Sequence, residues 1–271
     1  MDLMCTTFSE HTSRMATCDE FVKREKRDSC GDTRVKRCNR VNTENRFHGL
    51  SESQLKDKTL ADHLDHDLDV LIIGINPGYN AARSGHHYAG PGNHFWKCLY
   101  LSQLVSKPMT ALDDFRLVDR SHKYRIGFTN IVSRTTRGSD CLTKDEIRKG
   151  AQVLRNKLKT YLPKIAVFNG KGIYEVFCGT TRFQLGLQPK SMDSTLIYVM
   201  PSSSARCSQL PRASDKLPFY IGLKQLLDKI HLSMPIDSNE FIFPNLESNK
   251  KICKPIKEEE SAPTQQSIYF S

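Results

Sequence analysis

Residues 70–78 read Val-Leu-Ile-Ile-Gly-Ile-Asn-Pro-Gly. An unbroken apolar run that stops at Asn76-Pro77-Gly78 is the pattern of a strand buried on both faces. Such strands belong to parallel sheets covered by helices on either side. In open α/β sheets, ligands bind beyond the carboxyl ends of the strands. The turn therefore places a neutral amide, Asn76, at a binding edge.

The chain on either side supports this reading. Ile126–Val132, Ile165–Phe168 and Leu196–Met200 are further strand candidates. Between them lie helical patterns. Ser51-x-x-Gln54 and Thr143-x-x-Glu146 are capping boxes; after the second, Ile147, Ala151, Leu154, Leu158 and Tyr161 recur at helical spacing. Asn93 is placed to cap a helix carrying Phe95, Trp96, Leu99, Leu101 and Leu104, a short helix opens at Lys171, and Tyr220, Leu223, Leu227 and Ile230 share one face of a last helix. Strands alternating with helices predict a three-layer α/β fold, a short parallel sheet flanked by helices. In that fold Asn76, Asn130, Asn169-Gly170-Lys171 and Pro201-Ser202-Ser203-Ser204-Ala205-Arg206 all lie on one edge.

Length and charge bound the answer. The 271 residues carry a net charge of +10, but the excess is local: +14 over residues 76–230 against −4 over 51–75. A basic folded body points to a polyanionic partner. Residues 1–45 and 233–271 are polar, without period, and are expected to be disordered tails around a domain at 46–232. The first tail holds two basic clusters, Lys23–Arg27 and Arg34–Arg37, a pattern that suits either nuclear import or loose DNA contact. In the second, Ile256-Lys257-Glu258-Glu259 matches the pattern of lysines joined to ubiquitin-like modifiers, which makes Lys257 a modification candidate. The nine cysteines include no Cys-x-x-Cys pair, so neither a disulfide framework nor a zinc module is indicated. No apolar run reaches the ~18–20 residues of a membrane span.

The polar groups on the edge are amides, hydroxyls and cations. His86, His87 and His94 are close in sequence but show neither metal-ligand spacing nor an adjacent carboxylate, so no metal is expected. Phosphate-loop and nucleophile-elbow motifs are missing, and no organic cofactor is called for. Lys171, Arg212 and Lys216 are candidate phosphate contacts. Amide edges beside phosphate-binding cations suit a nucleobase within a nucleic acid.

Several blocks, taken in order, resemble the thymine-DNA glycosylase branch of the uracil-DNA glycosylase superfamily. They are Gly74–Gly78, Gly85–Trp96, Ile126–Asn130, Arg134-Thr135-Thr136, Ala166–Lys171 and Met200–Cys207, spread between about Arg46 and Leu227. The resemblance implies a monofunctional enzyme that flips a base out of duplex DNA and hydrolyses its glycosidic bond. It acts on thymine or uracil mispaired with guanine, and on 5-formyl- and 5-carboxylcytosine, and leaves an abasic site for downstream repair enzymes. It further implies a monomer in the nucleus with no cofactor. Asn76 resembles the residue that positions the attacking water and Thr136 its hydroxyl partner. Asn130 resembles the base-contacting amide, and Ile75, Gly78, Ala81, His87, Tyr88 and Ser202 fall along the base pocket. Arg206 resembles the wedge that fills the vacated stack, with Ser204 and Ala205 beside it and Lys171 and Arg212 on the phosphates. Uracil-strict relatives place Asp where Asn76 stands, a Tyr where Gly78 stands, and His-Pro-Ser where this chain has Met200-Pro201-Ser202. The resemblance thus implies a slow enzyme that tolerates 5-substituents. Ser133, in place of an acidic residue, and Tyr79-Asn80, in place of an apolar pair, depart from the branch. The rival reading is a DNA-damage or chromatin-binding adaptor that keeps the fold without turnover.

Overall fold

Val70–Gly74 forms β1, and every one of its residues is buried. Its side chains alternate between two cores, as the two-residue period of a strand requires. Val70 and Ile72 face one cluster with Phe95, Leu99, Tyr220, Leu223 and Leu227. Leu71 and Ile73 face the other, with Ile147, Ala151, Leu154, Leu158 and Phe177. β1 lies between two apolar layers and pairs with a strand on each side.

The computed structural model describes residues 49–243. In chain order the elements are α1 (Glu52–Lys56), β1, α2 (Tyr79–Ser84), α3 (Phe95–Leu101), β2 (Ile126–Asn130), α4 (Lys144–Tyr161), β3 (Ile165–Asn169), α5 (Lys171–Cys178), β4 (Leu185–Leu187), β5 (Leu196–Met200), α6 (Ala213–His231) and β6 (Ile242–Phe243). Short 3-10 helices cover Ala111–Val118, Ser139–Cys141 and Ser238–Phe241. The sheet order is β2-β1-β3-β5-β4-β6. The first four strands are parallel, whereas β4 runs antiparallel to both β5 and β6. Helices α3 and α6 cover one face, α4 and α5 the other. The predicted three-layer α/β fold is present, with an antiparallel extension at one side.

Both capping boxes form. Ser51 and Gln54 bond reciprocally at α1, Thr143 and Glu146 at α4. Gly150 lets α4 press on the loop after β2, since a Cβ there would stand 1.9 Å from the Ile131 carbonyl oxygen. From β1 the chain crosses to β2, and from β3 it moves away toward β5. The crevice between the carboxyl ends of β1 and β3 is therefore the switch point at which such sheets bind ligands.

Three expectations need correction. Asn93 is not the first cap of α3; that position is His94, although Asn93 Oδ1 does accept from the Phe95 N–H at 3.0 Å. Leu104 lies beyond the helix yet is buried all the same. The domain also does not end at 232. Phe241 is only 1% exposed, its carbonyl oxygen lies where a Cβ on Gly186 would be, and Phe243 packs on Phe219 with ring centroids 4.4 Å apart. Two aromatic residues in a polar stretch suffice to add a short strand when each finds a core partner. The basic clusters near residues 23–37 and Lys257 lie outside the described residues.

Phe241→Ala is expected to cost roughly 3–5 kcal/mol, the usual range for emptying a buried aromatic site. Urea denaturation checks this; a change below about 1 kcal/mol would mean that residues 238–243 are not part of the cooperative unit.

Candidate active site

The loop after β1 is stitched to the loop after β2. The Ile131 and Val132 N–H groups donate to the Gly74 and Ile75 carbonyls, and the Thr136 N–H donates to that of Pro77. This brings Asn76 and Thr136, sixty positions apart, into contact. Asn76 Nδ2 lies 2.7 Å from Thr136 Oγ1, 2.9 Å from the Arg134 carbonyl oxygen and 3.3 Å from that of Pro77. Two of these neighbours are carbonyls, which only accept. They fix the amide with its nitrogen inward. Thr136 Oγ1 donates onward to the Gly138 carbonyl at 2.7 Å, so its lone pairs receive Asn76. Asn76 Oδ1 is left without a protein donor among the described residues. A half-buried amide oxygen held this rigidly can accept a hydrogen from water and orient it, and it cannot serve as a strong base.

The support of this loop is electrostatic. Arg134 forks onto Glu146 at 2.7 and 3.1 Å and donates to the Cys141 carbonyl. The Arg134 pair and the Thr143 cap bonds hold the Glu146 carboxyl down at about 2. Arg134 is thereby committed to protein contacts.

Asn130 closes β2 opposite Gly74. A Cβ on Gly74 would stand 2.5 Å from Asn130 Oδ1 and 3.3 Å from the Tyr88 hydroxyl. Only glycine lets both side chains meet over β1. Among the described residues no protein group bonds the Asn130 amide, and the buried Tyr88 hydroxyl faces the Asn169 side chain without a well-formed hydrogen bond. The Tyr88 ring stacks on Phe95 at 4.2 Å, with its backbone at φ +57°. Burial pushes its phenol well above the usual range.

The remaining predicted residues fall into two groups. Ile75, Gly78, Ala81 and Ser202 surround the turns at this edge. Gly78 is exposed, has ordinary extended backbone and would put a Cβ into open space, so the fold does not require glycine there. Ala81 is buried within α2. His87 is different: its ring is 2% exposed and stacks on Phe128, and its Nε2 donates to the Ala61 carbonyl at 3.0 Å. Burial draws its pKa down to about 4. In this free form it is a packing residue.

Ser204 and Arg206 sit on the loop after β5, with Ala205 exposed between them. Ser204 Oγ accepts from the Arg206 N–H, and Ser202 Oγ from the Ser204 N–H. Arg206 is exposed, and its guanidinium reaches to within 3.6 Å of where a Gly138 Cβ would be, next to the carbonyl that holds Thr136. The cations assigned to phosphates are more occupied than expected. Arg212 forms an ion pair with Asp215 at the start of α6, and Lys171 lies over the Phe183 ring. Lys216 is not a surface group at all; it is fully buried.

Sequence reasoning missed a carboxylate at the histidines. Asp114, fully buried, accepts from His86 Nδ1 at 2.9 Å and from the His87 and Phe115 N–H groups, and lies 3.2 Å from His63 Nε2. Opposed by burial but won by these bonds, its pKa falls to about 2. Asp114 is 27 residues from His87, so no local spacing signals it. His63, His87 and Asp114 offer three ligand atoms within 4.8 Å of one another. Both carboxylate oxygens are nonetheless already engaged in fixing the loop that carries Tyr88. Asn169 was also unassigned. It exchanges two bonds of 3.0 Å with Ser203, one to the hydroxyl and one from the N–H.

The model of the uracil DNA glycosylase superfamily matches residues 61–223, well over half of the chain. The chain belongs to this superfamily. The matched span includes β1 through most of α6, with all four loops of the site. The chain is 32% identical over 157 residues to the G/U mismatch-specific uracil DNA glycosylase of Schizosaccharomyces pombe, an alignment covering 54% of this chain and 47% of the relative. It thus spans about half the length of that curated relative. A solution NMR structure from Methanosarcina acetivorans, of a protein provisionally assigned as a uracil DNA glycosylase, covers 62% of this chain and 98% of its own at 19% identity and a TM-score of 0.42.

The buried His87 gives this family member an acid-sensitive site. The folded state binds the neutral ring, and the unfolded chain takes up a proton below its ordinary value of 6.5. Stability from this residue is complete above that value and is lost as the pH falls toward about 4. The loss amounts to roughly 3 kcal/mol. His87→Gln should flatten this part of the stability–pH curve, measured as urea midpoints between neutral and acid pH.

Proposed function

We propose that the chain is a monofunctional DNA glycosylase that excises thymine and uracil mispaired with guanine, and 5-formyl- and 5-carboxylcytosine, by hydrolysis. The observation that carries the reading is the orientation of Asn76, with its nitrogen spent on Thr136 and Arg134 and its oxygen free.

The chemistry follows from what that amide can and cannot do. The C1′–N1 bond breaks first, its electron pair leaving on the base, and the sugar becomes oxocarbenium-like as in other glycoside hydrolysis. Such a cation needs a placed water rather than a strong base. Asn76 Oδ1 accepts one hydrogen of that water and aims its oxygen at C1′. The new C1′–O bond forms, and the water's proton passes through solvent to the departing base. Negative charge on the base is met by hydrogen-bond donors. The unengaged Asn130 amide beside Gly74 is suited to that task. Arg206, exposed on the loop after β5, enters the stack left by the flipped base in this reading, and a mispaired base costs less to extrude. The basic body favours a polyanion as partner.

Gly78 supports breadth at C5. Neither backbone geometry nor packing demands glycine there, so its value lies in the space left in front of the turn. The named activity of the fission-yeast relative, on G/U mispairs, fits the uracil half of the reading.

Release of free base from G·U and G·T duplexes by the full chain tests the proposal. Asn76→Ala should reduce single-turnover release at least ~100-fold while duplex affinity stays within about twofold. If the wild type releases no base from either duplex, the chain is a binding protein rather than an enzyme. Gly78→Tyr should leave the thermal midpoint within a few degrees and lower thymine release far more than uracil release. Equal losses on both bases would refute the pocket-opening role.

A further inference from the structure

Lys216 is fully buried, and yet among the described residues it forms no ion pair; its Nζ bonds the Ser204 carbonyl oxygen at 3.0 Å and His94 Nδ1 at 3.1 Å. Removing an ammonium from water is costly unless its donors are used. Here two are used, and both acceptors belong to segments flanking Arg206. The Ser204 carbonyl lies two residues before it. His94 closes the turn that pairs with the same loop: the His94 N–H donates to the Ser203 carbonyl at 2.9 Å and the Ala205 N–H to the Gly92 carbonyl at 3.1 Å. Asn169 binds Ser203 from the end of β3. The Arg206 loop is therefore held from three elements, with one buried cation at the junction of two of them.

We infer that Lys216 is a positioning residue for Arg206, tying the loop after β5 to the Gly90–His94 turn through the Ser204 carbonyl and the His94 ring. The bond to His94 requires the imidazole to be neutral, with Nδ1 accepting. Burial, then Lys216 and Lys97, lower the His94 pKa, opposed by Asp215, so that the ring keeps that lone pair at neutral pH. Lys216 itself is drawn below its ordinary range by burial. A fixed loop matters because a wedge acts only if its backbone does not yield when the arginine meets the stack. The tie thus stores the ordering of the loop in the free protein, before DNA arrives. This inference rests on the wedge role assigned to Arg206 above, but the tie itself is a property of the free chain.

The experiment reads the two parts separately. Hydrogen exchange on the free full-length chain compares the wild type with Lys216→Met and with His94→Ala, the latter a half-exposed position that puts little of the core at risk. Both variants should exchange faster at residues 203–207 while the amides of β1 and β3 stay protected. Single-turnover base release, with 2-aminopurine fluorescence beside the mispair as the flipping signal, should fall roughly tenfold or more in Lys216→Met, as expected for losing a charge-assisted bond. In an Arg206→Ala background, Lys216→Met should cost little more, because the two act through one step. Unchanged exchange at 203–207 in both variants overturns the tie, as does faster exchange spread over the whole sheet, which would make Lys216 an ordinary core residue. Losses that add fully with Arg206→Ala overturn its action through the wedge. If the wild type releases no base, the glycosylase reading falls while the exchange comparison still decides the tie. If Lys216→Met does not fold, His94→Ala decides it.

Discussion

A strand with no exposed face has to hand its polar work to whatever follows it. That constraint, the burial of Val70–Gly74 on both sides, organises the molecule. With β1 in the interior of the sheet and its neighbours running parallel to it, four strand ends come to one edge. Asn130 reaches that edge because the register of β1 with β2 aligns it with Gly74, two residues before Asn76. The site is thus a result of sheet topology, with loops joined by a small number of backbone bonds.

Much of this was legible in the residues. The apolar runs, the two capping boxes and the helical spacing in α4 each obey a local rule and needed no tertiary information. The pairing of Asn76 with Thr136 came from likeness to a family; bottom-up reasoning gave only two polar loops on a shared edge. What escaped was long-range or very short. β4 is a three-residue strand with glycine at its centre, and β6 has two residues in a polar stretch, so neither has a period to detect. Asp114 reaches the histidines only through the fold. Lys216 had a signal: it lies one turn before Tyr220 and two before Leu223, on the apolar face of α6, where a cation is out of place. Its partners, a backbone carbonyl and a histidine ring, could not be read from that face.

Charge illustrates the difference between composition and arrangement. The basic excess of the folded body pointed to a polyanion, yet several of the cations have tasks inside the protein. Arg134 anchors the loop after β2 to α4, Lys216 is sealed in the core, and Arg212 pairs with Asp215. The number of cations available to an outside partner is therefore smaller than the count implies. A net charge describes how strongly a surface attracts a polyanion at a distance, and says less about which side chains touch it.

The inward nitrogen of Asn76 also limits where this sequence can go. A carboxylate at position 76, as in the uracil-strict relatives, would be better at stabilising a sugar cation. In this loop it would set an oxygen where the amide nitrogen now lies, 2.9 Å from the Arg134 carbonyl and 3.3 Å from that of Pro77. Oxygen against carbonyl oxygen is repulsive at such separations, and the Thr136 hydroxyl, already donating to Gly138, would have to turn. The faster chemistry is therefore not one substitution away. It lies across a barrier of loop geometry, reached only if residues 133–138 change together with the amide. What position 76 can present to the edge is then a property of the backbone around it as much as of the side chain itself.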